Sequence, residues 1–513
     1  MSLIGQAAHL LEIAERSYAG QPEPTATIDR LRARMVEPLR VAIAGRVKSG
    51  KSTLLNALVG EPLAARDVGE CTRFVTWYQA GRSYRAFVQR RGCEPEQVRL
   101  LRRTDCVDVE QGGWADGELE RIVVEWPSRH LREMTLIDTP GLGSLSTQLG
   151  RSTESQLLGE EETSPADAVV YVVRHLHGSD VRFLEALHDD DAGRPFPVNS
   201  LIVVGRADEI GAGRLDAMEA AARVAQRYRR DPQVRQLGGT AIAVAGLVAF
   251  GATQLTEEHH RTILDQTRLD PETERMLLRS VDDVVDPSIA PEIDVARRRE
   301  LLDLLGLFGM RLAARLVADR RLSAVELAAA LRDHSGLNEL QRVIGDQFVA
   351  RAEVLKARSA LVSLKQVVER FPPSGDTLAA AIERVEAGAH EFAELRLLLA
   401  VRSGGVRLDL SEENEVERLV GTIGLSAPER LGLAQGANPD LARGELVARI
   451  GRWRRRAETP LTDPTTAAAA SVVARSYEGL LADPFGSDPP GATATPPGVR
   501  GSRSDRSTGD NLA

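Results

Sequence analysis

The stretch GRVKSGKST, residues 45–53, decides the fold class of this chain of 513 residues. It fills the pattern G-x-x-x-x-G-K-[ST] and lies between an apolar run, VAIA, and the helix-forming stretch LLNALVG. Glycines let such a loop wrap closely around a phosphate, which the backbone N–H groups and the helix N-terminus attract. We therefore predict a phosphate-binding loop whose contacts come from Gly45, Ser49, Gly50, Lys51, Ser52 and Thr53.

Two side chains of this loop have separate predicted roles. The ammonium group of Lys51 is expected to reach the β- and γ-phosphates of a nucleoside triphosphate, and the Ser52 hydroxyl is expected to ligate Mg²⁺. A glycine-rich turn that matches by chance is the alternative. The flanking strand and helix argue against that alternative, because they supply the context in which the pattern binds phosphate.

A second motif, LIDTPGLGS, begins at Leu136 and ends another apolar run. Asp138 is placed to hold Mg²⁺ through water, and the Gly141 N–H is placed to meet the γ-phosphate and to turn away after hydrolysis. Between the two motifs, Thr72 in GECTRFVTW is the candidate hydroxyl that completes the metal shell and orders a switch loop. A plain loop threonine is the alternative for Thr72.

A third motif, LIVVGRADEI at residues 201–210, follows these two. In this order, Asp208 is the expected acceptor for the N1–H and 2-amino groups of guanine, and the stem of Arg206 is expected to pack on the base. Gly205 departs from the Asn or Thr found there in GTPases, which removes a tether to the phosphate-binding loop. Gly246, within AVAGL, is the candidate for a last loop near the base. The alternative is a strand end in an adenine-nucleotide enzyme.

Composition limits the partners and the compartment. Lys and Arg number 65 against 74 for Asp and Glu, so the net charge is −9 and no global basic field favours nucleic acid. Three cysteines without metal-type spacing indicate a reducing compartment. The N-terminal MSLIGQAAHLLEIAER has no basic leader and is typical of an amphipathic helix, not of a signal peptide. We predict an intracellular protein without a nucleic-acid partner.

Hydrophobic patterning divides the chain into four predicted parts. Strand-like runs rich in Val and Ile alternate with helical stretches in one part, which indicates a mostly parallel sheet with helices on both faces. Further on, apolar residues spaced by three and four indicate an elongated all-α bundle. The predicted parts are N-terminal helices at 1–38, the α/β domain at 39–255, the helical bundle at 256–482 and a disordered tail at 483–513. The apolar stretch at 237–256 is expected to be a buried strand and loop, not a membrane span.

The motifs together resemble those of the bacterial dynamin-like GTPases. The resemblance rests on GRVKSGKSTLLNALVG, CTRFVT, IDTPGLGS and GRADE, followed by the less specific helical stretches LLGLFGMRLA, SGLNEL and LKARSALVSL. It implies a Mg²⁺-dependent enzyme that hydrolyses GTP to GDP and phosphate. It also implies a neck bundle built from both ends of the chain, nucleotide-dependent pairing of G domains, and remodelling or maintenance of the cell membrane.

Two residues of the phosphate-binding loop depart from what the resemblance implies. Val47 stands where dynamins commonly carry a catalytic polar side chain, which favours an alternative: a GTP-binding regulatory or scaffold partner of another membrane-active GTPase. Lys48, one of only four lysines in the chain, stands where dynamins commonly hold a monovalent cation. Its amine is expected to replace that cation as the γ-phosphoryl group leaves, when two G domains meet. A solvent-facing lysine that merely attracts phosphate is the alternative.

Membrane contact is expected to be peripheral, on anionic phospholipid at the inner face of the cell membrane. A helix from about Leu337 to Arg370, roughly 50 Å long, would place the turn at 371–375 far from the nucleotide. That turn is one candidate for the membrane-contacting tip, and a plain helix–helix turn is its alternative. The stretch GRWRRR at 451–456 is the other candidate, with a solvated helix face as its alternative.

Overall fold

Buried runs of Val, Ile and Ala form the strands of a nine-stranded sheet. This computed structural model describes residues 2–64, 74–90, 93–102, 107–109, 119–139, 166–178, 180–181, 199–237, 240–373, 377–402, 404–422, 424–434 and 438–482. The strands are β1 Leu39–Gly45, β2 Thr76–Ala80, β3 Arg85–Arg90, β4 Glu96–Val98, β5 Leu100–Arg102, β6 Val107–Val109, β7 Leu119–Trp126, β8 Met134–Asp138, β9 Ala168–Val173, β10 Ser200–Val204 and β11 Ala241–Ala243.

The strand order explains how distant motifs meet. The order is β11-β10-β9-β1-β8-β2-β7-β3-β4, with β5 and β6 paired separately. The ladders from β11 through β8 are parallel, β7 runs parallel to β2, and the remaining ladders are antiparallel. The predicted mostly parallel sheet is therefore confirmed. Because β1 is central among the parallel strands, the carboxyl ends of β8, β9, β10 and β11 lie along the same edge as the phosphate-binding loop.

Helices cover both faces of the sheet, as predicted. Alternate residues of β1 point to opposite faces: Val41 and Ile43 belong to one hydrophobic cluster, and Ala42 and Ala44 belong to another. Four helices lie between strands of the sheet in sequence or directly after its last strand. They are α3 Lys51–Val59, α4 Ala217–Arg230, α5 Pro232–Leu237 and α6 Gly246–Thr253. Helix α3 packs in the first cluster and α4 in the second.

The remaining helices precede β1 or follow the sheet. They are α1 Leu3–Ser17, α2 Pro22–Val36, α7 Glu257–Thr267, α8 Pro271–Leu277, α9 Val281–Val285, α10 Val295–Arg320, α11 Ala324–His334, α12 Leu337–Gln347, α13 Ala352–Arg370, α14 Thr377–Gly388, α15 His390–Arg402, α16 Leu410–Leu419, α17 Ala427–Leu431, α18 Pro439–Glu458 and α19 Pro464–Ala482. Among the described residues, no helix is both long and apolar enough to cross a membrane.

Hydrophobic packing joins the two ends of the chain. Side chains of α1 and α2 share one cluster with residues of α13 to α19. Helices α7, α10 and α11 instead share a cluster with Ala245 and Val248 beside the sheet, and α12 packs in one of the sheet clusters. Part of the predicted bundle thus packs on the α/β domain. The predicted domain boundaries at 38, 255 and 482 remain predictions.

The expected continuous helix from about Leu337 to Arg370 is wrong. Helix α12 ends at Gln347, a short 3-10 turn spans Val349–Arg351, and α13 starts at Ala352. The break coincides with a tertiary contact: the buried guanidinium of Arg351 donates to the carbonyl oxygens of Val420 and Gly421. A buried Arg needs such acceptors, and Arg351, which makes these bonds, is the last residue of the 3-10 turn at the break.

The hypothesis that Trp453 meets lipid is wrong, because its indole is 1% exposed in the helical cluster. Its Nε1–H donates to Glu415 Oε1 at 3.1 Å, and the Tyr477 hydroxyl donates to the same oxygen at 2.7 Å. Nearby, Arg452 pairs with Glu415, and Arg454 pairs with Glu478. The amphipathic pattern around Trp453 therefore serves helix packing.

Candidate functional site

The phosphate-binding loop connects β1 to α3, as its motif predicted. Helix α3 begins at Lys51, directly after Gly50, whose φ of 103° turns the chain into the helix. Inside the loop, Lys48 is exposed and has a left-handed φ of 64°. The open N–H groups at the start of α3 therefore face the carboxyl edge of the sheet, where they can attract an anion.

Lys51 is largely buried within this loop. Its Nζ donates to the carbonyl oxygens of Gly45 at 3.0 Å and Arg46 at 3.1 Å. These bonds keep the ammonium group inside the loop, where a phosphate would be bound. The hydroxyl oxygen of Ser49 is also buried and has no hydrogen-bond partner within the described part of the chain.

Asp138 is placed beside the loop by strand pairing. It ends β8, where it is paired with Ile43 of β1, and it is 1% exposed. The neighbouring Thr139 hydroxyl donates to the Ile43 carbonyl at 3.0 Å and ties the two strand ends together. Thr72 and Gly141, which complete the predicted metal and γ-phosphate contacts, lie outside the described residues.

The residues predicted to hold Mg²⁺ offer suitable ligands where the structure describes them. Ser52 supplies a hydroxyl at the start of α3, and Asp138 supplies a carboxylate at the end of an adjacent strand. Mg²⁺ prefers such oxygen ligands and keeps several waters of its own. Across the described ranges, no group of three or more His, Cys, Asp or Glu residues is arranged for a metal. The donor set therefore fits a Mg²⁺ ion that phosphate oxygens and water would also ligate.

The base-recognition turn follows β10. Gly205 N–H donates to the Val173 carbonyl at 2.8 Å, and Ala207 N–H donates to the Val244 carbonyl at 3.3 Å. These bonds hold the turn between Val173, the last residue of β9, and Val244, the residue that follows β11. The turn then buries Asp208, which is 7% exposed. Burial raises the pKa of the Asp208 carboxyl to about 6, with a smaller contribution from the charge of Glu209.

Arg206 lies against the phosphate-binding loop. Its Cγ would be 3.5 Å from a Cβ atom placed on Gly50, so its stem runs along the loop. Its Nη1 donates to Glu209 Oε1 at 2.6 Å, and Arg174 pairs with the same carboxylate. The charged head is thereby paired with Glu209, which also lines the cavity, while the apolar stem runs along the loop, where it could pack on a base.

These elements enclose a cavity of about 480 Å³. Residues that line it come from the loop, from α3, from the turn at Asp208 and from the start of α6; they include Gly50, Thr53, Leu54, Gly205, Arg206, Asp208, Gly246 and Leu247. The structure thus brings Gly50 and Thr53 of the phosphate-binding loop to one cavity with the predicted base residues Arg206, Asp208 and Gly246. Their individual roles remain predictions.

Comparison with known proteins identifies the family. Residues 41–204 match the Dynamin family. The chain is 35% identical over 500 residues to the "Isoniazid-induced protein IniC" of Mycobacterium tuberculosis strain H37Rv, which covers 94% of this chain and 99% of that protein. The chain belongs to the bacterial dynamin-like GTPase family. It is also 36% identical over 171 residues to the "Isoniazid-induced protein IniA" of the same organism, which corresponds to 32% of this chain and 25% of that protein.

Solved structures similar to this dynamin-like GTPase include one described as "An oligomerised bacterial dynamin pair provides a mechanism for the long range sensing and tethering of membranes". The match has a TM-score of 0.30 and 14% identity, over 93% of this chain and 72% of that one. So low a TM-score carries no conclusion about assembly or membranes.

Two acidic cavity residues of this dynamin-like GTPase, Glu209 and Asp303, were not predicted from the sequence. Asp303 lines the cavity together with Asp208, although it belongs to α10, far along the chain from every nucleotide motif. In sequence it is one acidic residue on an amphipathic helix. The only signal near it is Gly306, a residue that disfavours helix within an apolar run.

Proposed function

We propose that this dynamin-like GTPase is a Mg²⁺-dependent enzyme that binds GTP and hydrolyses it to GDP and phosphate. One observation carries the proposal: the buried carboxylate of Asp208 borders the same cavity as Gly50 and Thr53 of the phosphate-binding loop. A carboxylate accepts from both N1–H and the 2-amino group of guanine, whereas adenine presents no matching pair of donors. Phosphate and guanine recognition therefore meet in one cavity.

The chain's own residues supply distinct parts of the reaction. Lys51 and the α3 N–H groups bind the β- and γ-phosphates, and Ser52, Asp138 and Thr72 are the proposed Mg²⁺ ligands. When bound, Mg²⁺ would neutralise charge that develops on the phosphate oxygens. Gly141 is the proposed γ-phosphate contact that links hydrolysis to a switch. Lys48 supplies positive charge near the group that is transferred.

We further propose that the nucleotide cycle is coupled to peripheral binding of anionic phospholipid and to remodelling or maintenance of the cell membrane, at its cytoplasmic face. Family membership supports this coupling, as does the shared cluster of α1 and α2 with α13 to α19, since a neck built from both chain ends links the α/β domain to distant helices. Pairing of G domains, or pairing with a related GTPase, would exclude water from the site.

A second function has its own support. Val47 in the phosphate-binding loop lacks a polar side chain, and residue 205 is Gly, so this chain departs from the pattern of its family at two contacts near the nucleotide. A GTP-binding regulatory or scaffold partner with little hydrolysis of its own fits these departures. Turnover measured with and without anionic vesicles, combined with co-sedimentation, separates the two functions. If the protein is a scaffold, we expect it to bind vesicles while its GTP turnover is not stimulated by them.

Base specificity provides the direct test of the nucleotide proposal. Asp208→Asn exchanges an acceptor for a donor, so we expect the preference to move from guanine towards xanthine by about 2 kcal/mol or more. The measurement is competition of GTP, ATP and XTP against a nucleotide labelled on its phosphate. Equal binding of ATP and GTP by the wild-type protein contradicts the proposal.

A further inference from the structure

One wall of the nucleotide cavity is formed by a helix that lies outside the nucleotide-binding motifs. Helix α10 loses helical geometry at Gly306, where φ is 68° and ψ is 173°. A Cβ atom placed there would lie 3.1 Å from Leu247 Cδ2 and 3.9 Å from Asp208 Oδ2. Glycine is favoured at position 306 because φ is positive there and because a Cβ atom would lie close to Leu247. The break therefore brings α10 directly against the base-recognition residues.

Helix α10 is held firmly in this position. Leu305 and Phe308 pack with Val248 of α6 in one buried cluster. A Cβ atom on Gly251 would lie 2.3 Å from the Leu304 carbonyl oxygen, so the backbones of α6 and α10 are in contact.

Hydrogen bonds tie the same helix to the loop that follows Asp208. Arg311 Nη1 donates to the carbonyl oxygens of Ala212 at 3.0 Å and Gly213 at 2.6 Å, and its Nε donates to the Leu278 carbonyl at 2.8 Å. Helix α10 is thus bound to the turn that carries Asp208. The position of Asp303, one turn before Gly306, is set by the same contacts that shape the base pocket.

Asp303 is a third acidic residue on the cavity, after Asp208 and after Glu209, which is paired with Arg174 and Arg206. Its side chain is exposed and lines the cavity with Asp208 and Arg206. An ionised carboxylate only accepts hydrogen bonds. A guanine nucleoside has more donors than Asp208 can satisfy: after N1–H and one 2-amino hydrogen are bound, the second 2-amino hydrogen and the two ribose hydroxyls remain. A carboxylate in this position matches these donors, whereas it would repel the phosphates.

We propose that Asp303 accepts a hydrogen bond from the nucleoside half of bound GTP and is a specificity-determining residue of this site. The donor is either a ribose hydroxyl or the second hydrogen of the 2-amino group. The inference rests on the proposed GTP function, and it adds that the helical part of the chain contacts the substrate directly.

The test compares GTP with analogues that each lack one donor. The analogues are 2′-deoxy-GTP, 3′-deoxy-GTP and inosine triphosphate, which lacks the 2-amino group, and each competes against a phosphate-labelled GTP. Wild-type protein is expected to bind GTP about tenfold more tightly than the analogue that lacks the donor to Asp303. Asp303→Ala is expected to bind GTP about tenfold more weakly and to lose the preference over the ribose analogue if a ribose hydroxyl is the donor. If the 2-amino group is the donor, the penalty of inosine triphosphate is expected to fall about tenfold without disappearing, because this analogue also lacks the hydrogen that Asp208 binds.

Matched controls distinguish the possible failures. Asp319→Ala removes an exposed carboxylate from the same helix, away from the cavity, and should leave every affinity unchanged. If Asp303 is only a neighbouring charge, Asp303→Ala strengthens GTP and all analogues equally because repulsion of phosphate is relieved, and the inference is overturned. Unchanged affinities in Asp303→Ala overturn it as well. Failure of wild-type protein to prefer GTP over ATP instead contradicts the proposed function itself.

Discussion

Gly205 lies directly against the carbonyl oxygen of Ser49: a Cβ atom on residue 205 would be 2.5 Å from that oxygen and 2.8 Å from Val172 Cγ1. The base-recognition turn therefore packs its backbone on the phosphate-binding loop with no space for a side chain. The sequence suggested that glycine at position 205 removes a tether between these two elements. In the structure they are instead held together by close backbone packing.

This contact predicts that Gly205→Asn, which restores the residue found in other GTPases, will weaken the site. The added side chain must displace the Ser49 carbonyl or Val172, at a cost of about 1 to 3 kcal/mol. We expect a lower thermal midpoint and weaker GTP binding, measured by calorimetry. Gly345→Ala is the matched control, because a Cβ atom there meets nothing within 4 Å and Ala favours helix α12. Tighter GTP binding by Gly205→Asn would support the tether hypothesis instead.

Asp208 predicts a pH dependence of stability in the nucleotide-free protein. Because the pKa of its carboxyl is raised from 3.8 to about 6, the folded state binds a proton that the unfolded state has lost between these values. The free energy of unfolding should therefore fall as pH rises through this range, by at most about 3 kcal/mol.

Urea titrations of wild-type protein and Asp208→Asn measure this effect, because the substitution removes the titrating group. The difference in stability should decline from about pH 4 to about pH 6 and stay constant above pH 7. The affinity for GTP should instead increase as pH rises through this range, since guanine needs the ionised carboxylate. A stability difference that does not vary with pH would show that Asp208 titrates normally.

Lys51 and Thr72 should differ in which step they affect. Lys51→Ala removes a buried ammonium that meets phosphate charge already in the ground state, so we expect GTP affinity to fall roughly a hundredfold or more. Thr72→Ala should retain binding and lose turnover, because its proposed contact orders the switch. Equilibrium binding and single-turnover hydrolysis are measured on both variants. Wild-type turnover in Thr72→Ala would remove that residue from the mechanism.

The proposed role of Lys48 predicts that GTP turnover does not depend on monovalent cations. If its amine supplies the charge that a cation supplies elsewhere in the family, exchange of K⁺ for a bulky organic cation should leave wild-type turnover unchanged. Lys48→Ser should lower turnover roughly tenfold or more, and K⁺ should partly restore it.

A conformational control is needed for Lys48, because its left-handed φ of 64° is unfavourable for most residues. Lys48→Asn keeps a residue that tolerates this conformation and removes only the charge. It should behave like Lys48→Ser. Loss of wild-type activity without K⁺ or Na⁺ would show that Lys48 is an ordinary surface lysine.

The buried Trp453 predicts a stability effect instead of a lipid effect. Trp453→Ala leaves a large cavity and removes a donor to Glu415, so we expect a loss of about 3 to 5 kcal/mol in urea unfolding. Arg454→Ala breaks only an exposed pair with Glu478 and should cost less than about 1 kcal/mol. It therefore tests vesicle binding by the arginine stretch without unfolding the helices. Normal stability of Trp453→Ala would contradict the observed packing.

Some features of the site were predictable because their physical causes are local. A loop that turns from a strand into a helix around phosphate needs glycines and a lysine at a fixed spacing, so Gly45, Gly50 and Lys51 can be recognised in sequence. The order of the motifs likewise predicted Asp208 as a base contact, and the structure places it on the cavity with Gly50. The alternation of short apolar runs with helical stretches predicted the sheet and its layers.

Other features depend on contacts between residues far apart in sequence. At the break before α13, Arg351 donates to the Gly421 carbonyl, and the buried Trp453 donates to Glu415, which also accepts from Tyr477. No pattern within one short segment of the sequence predicts such pairs.

The sequence by itself determined the fold class and the strand–loop–helix form of the predicted phosphate-binding motif, and it selected Asp208 as the predicted base contact, since each depends on backbone conformation and side-chain chemistry within one short segment. Only the tertiary structure decided how these segments fit together. The packing of Gly205 on Ser49 and the approach of Asp303 to the base pocket both require the sheet to align its strand ends and α10 to pack on α6. The physical reason is that close packing is set by the shapes of distant surfaces that meet only in the folded chain.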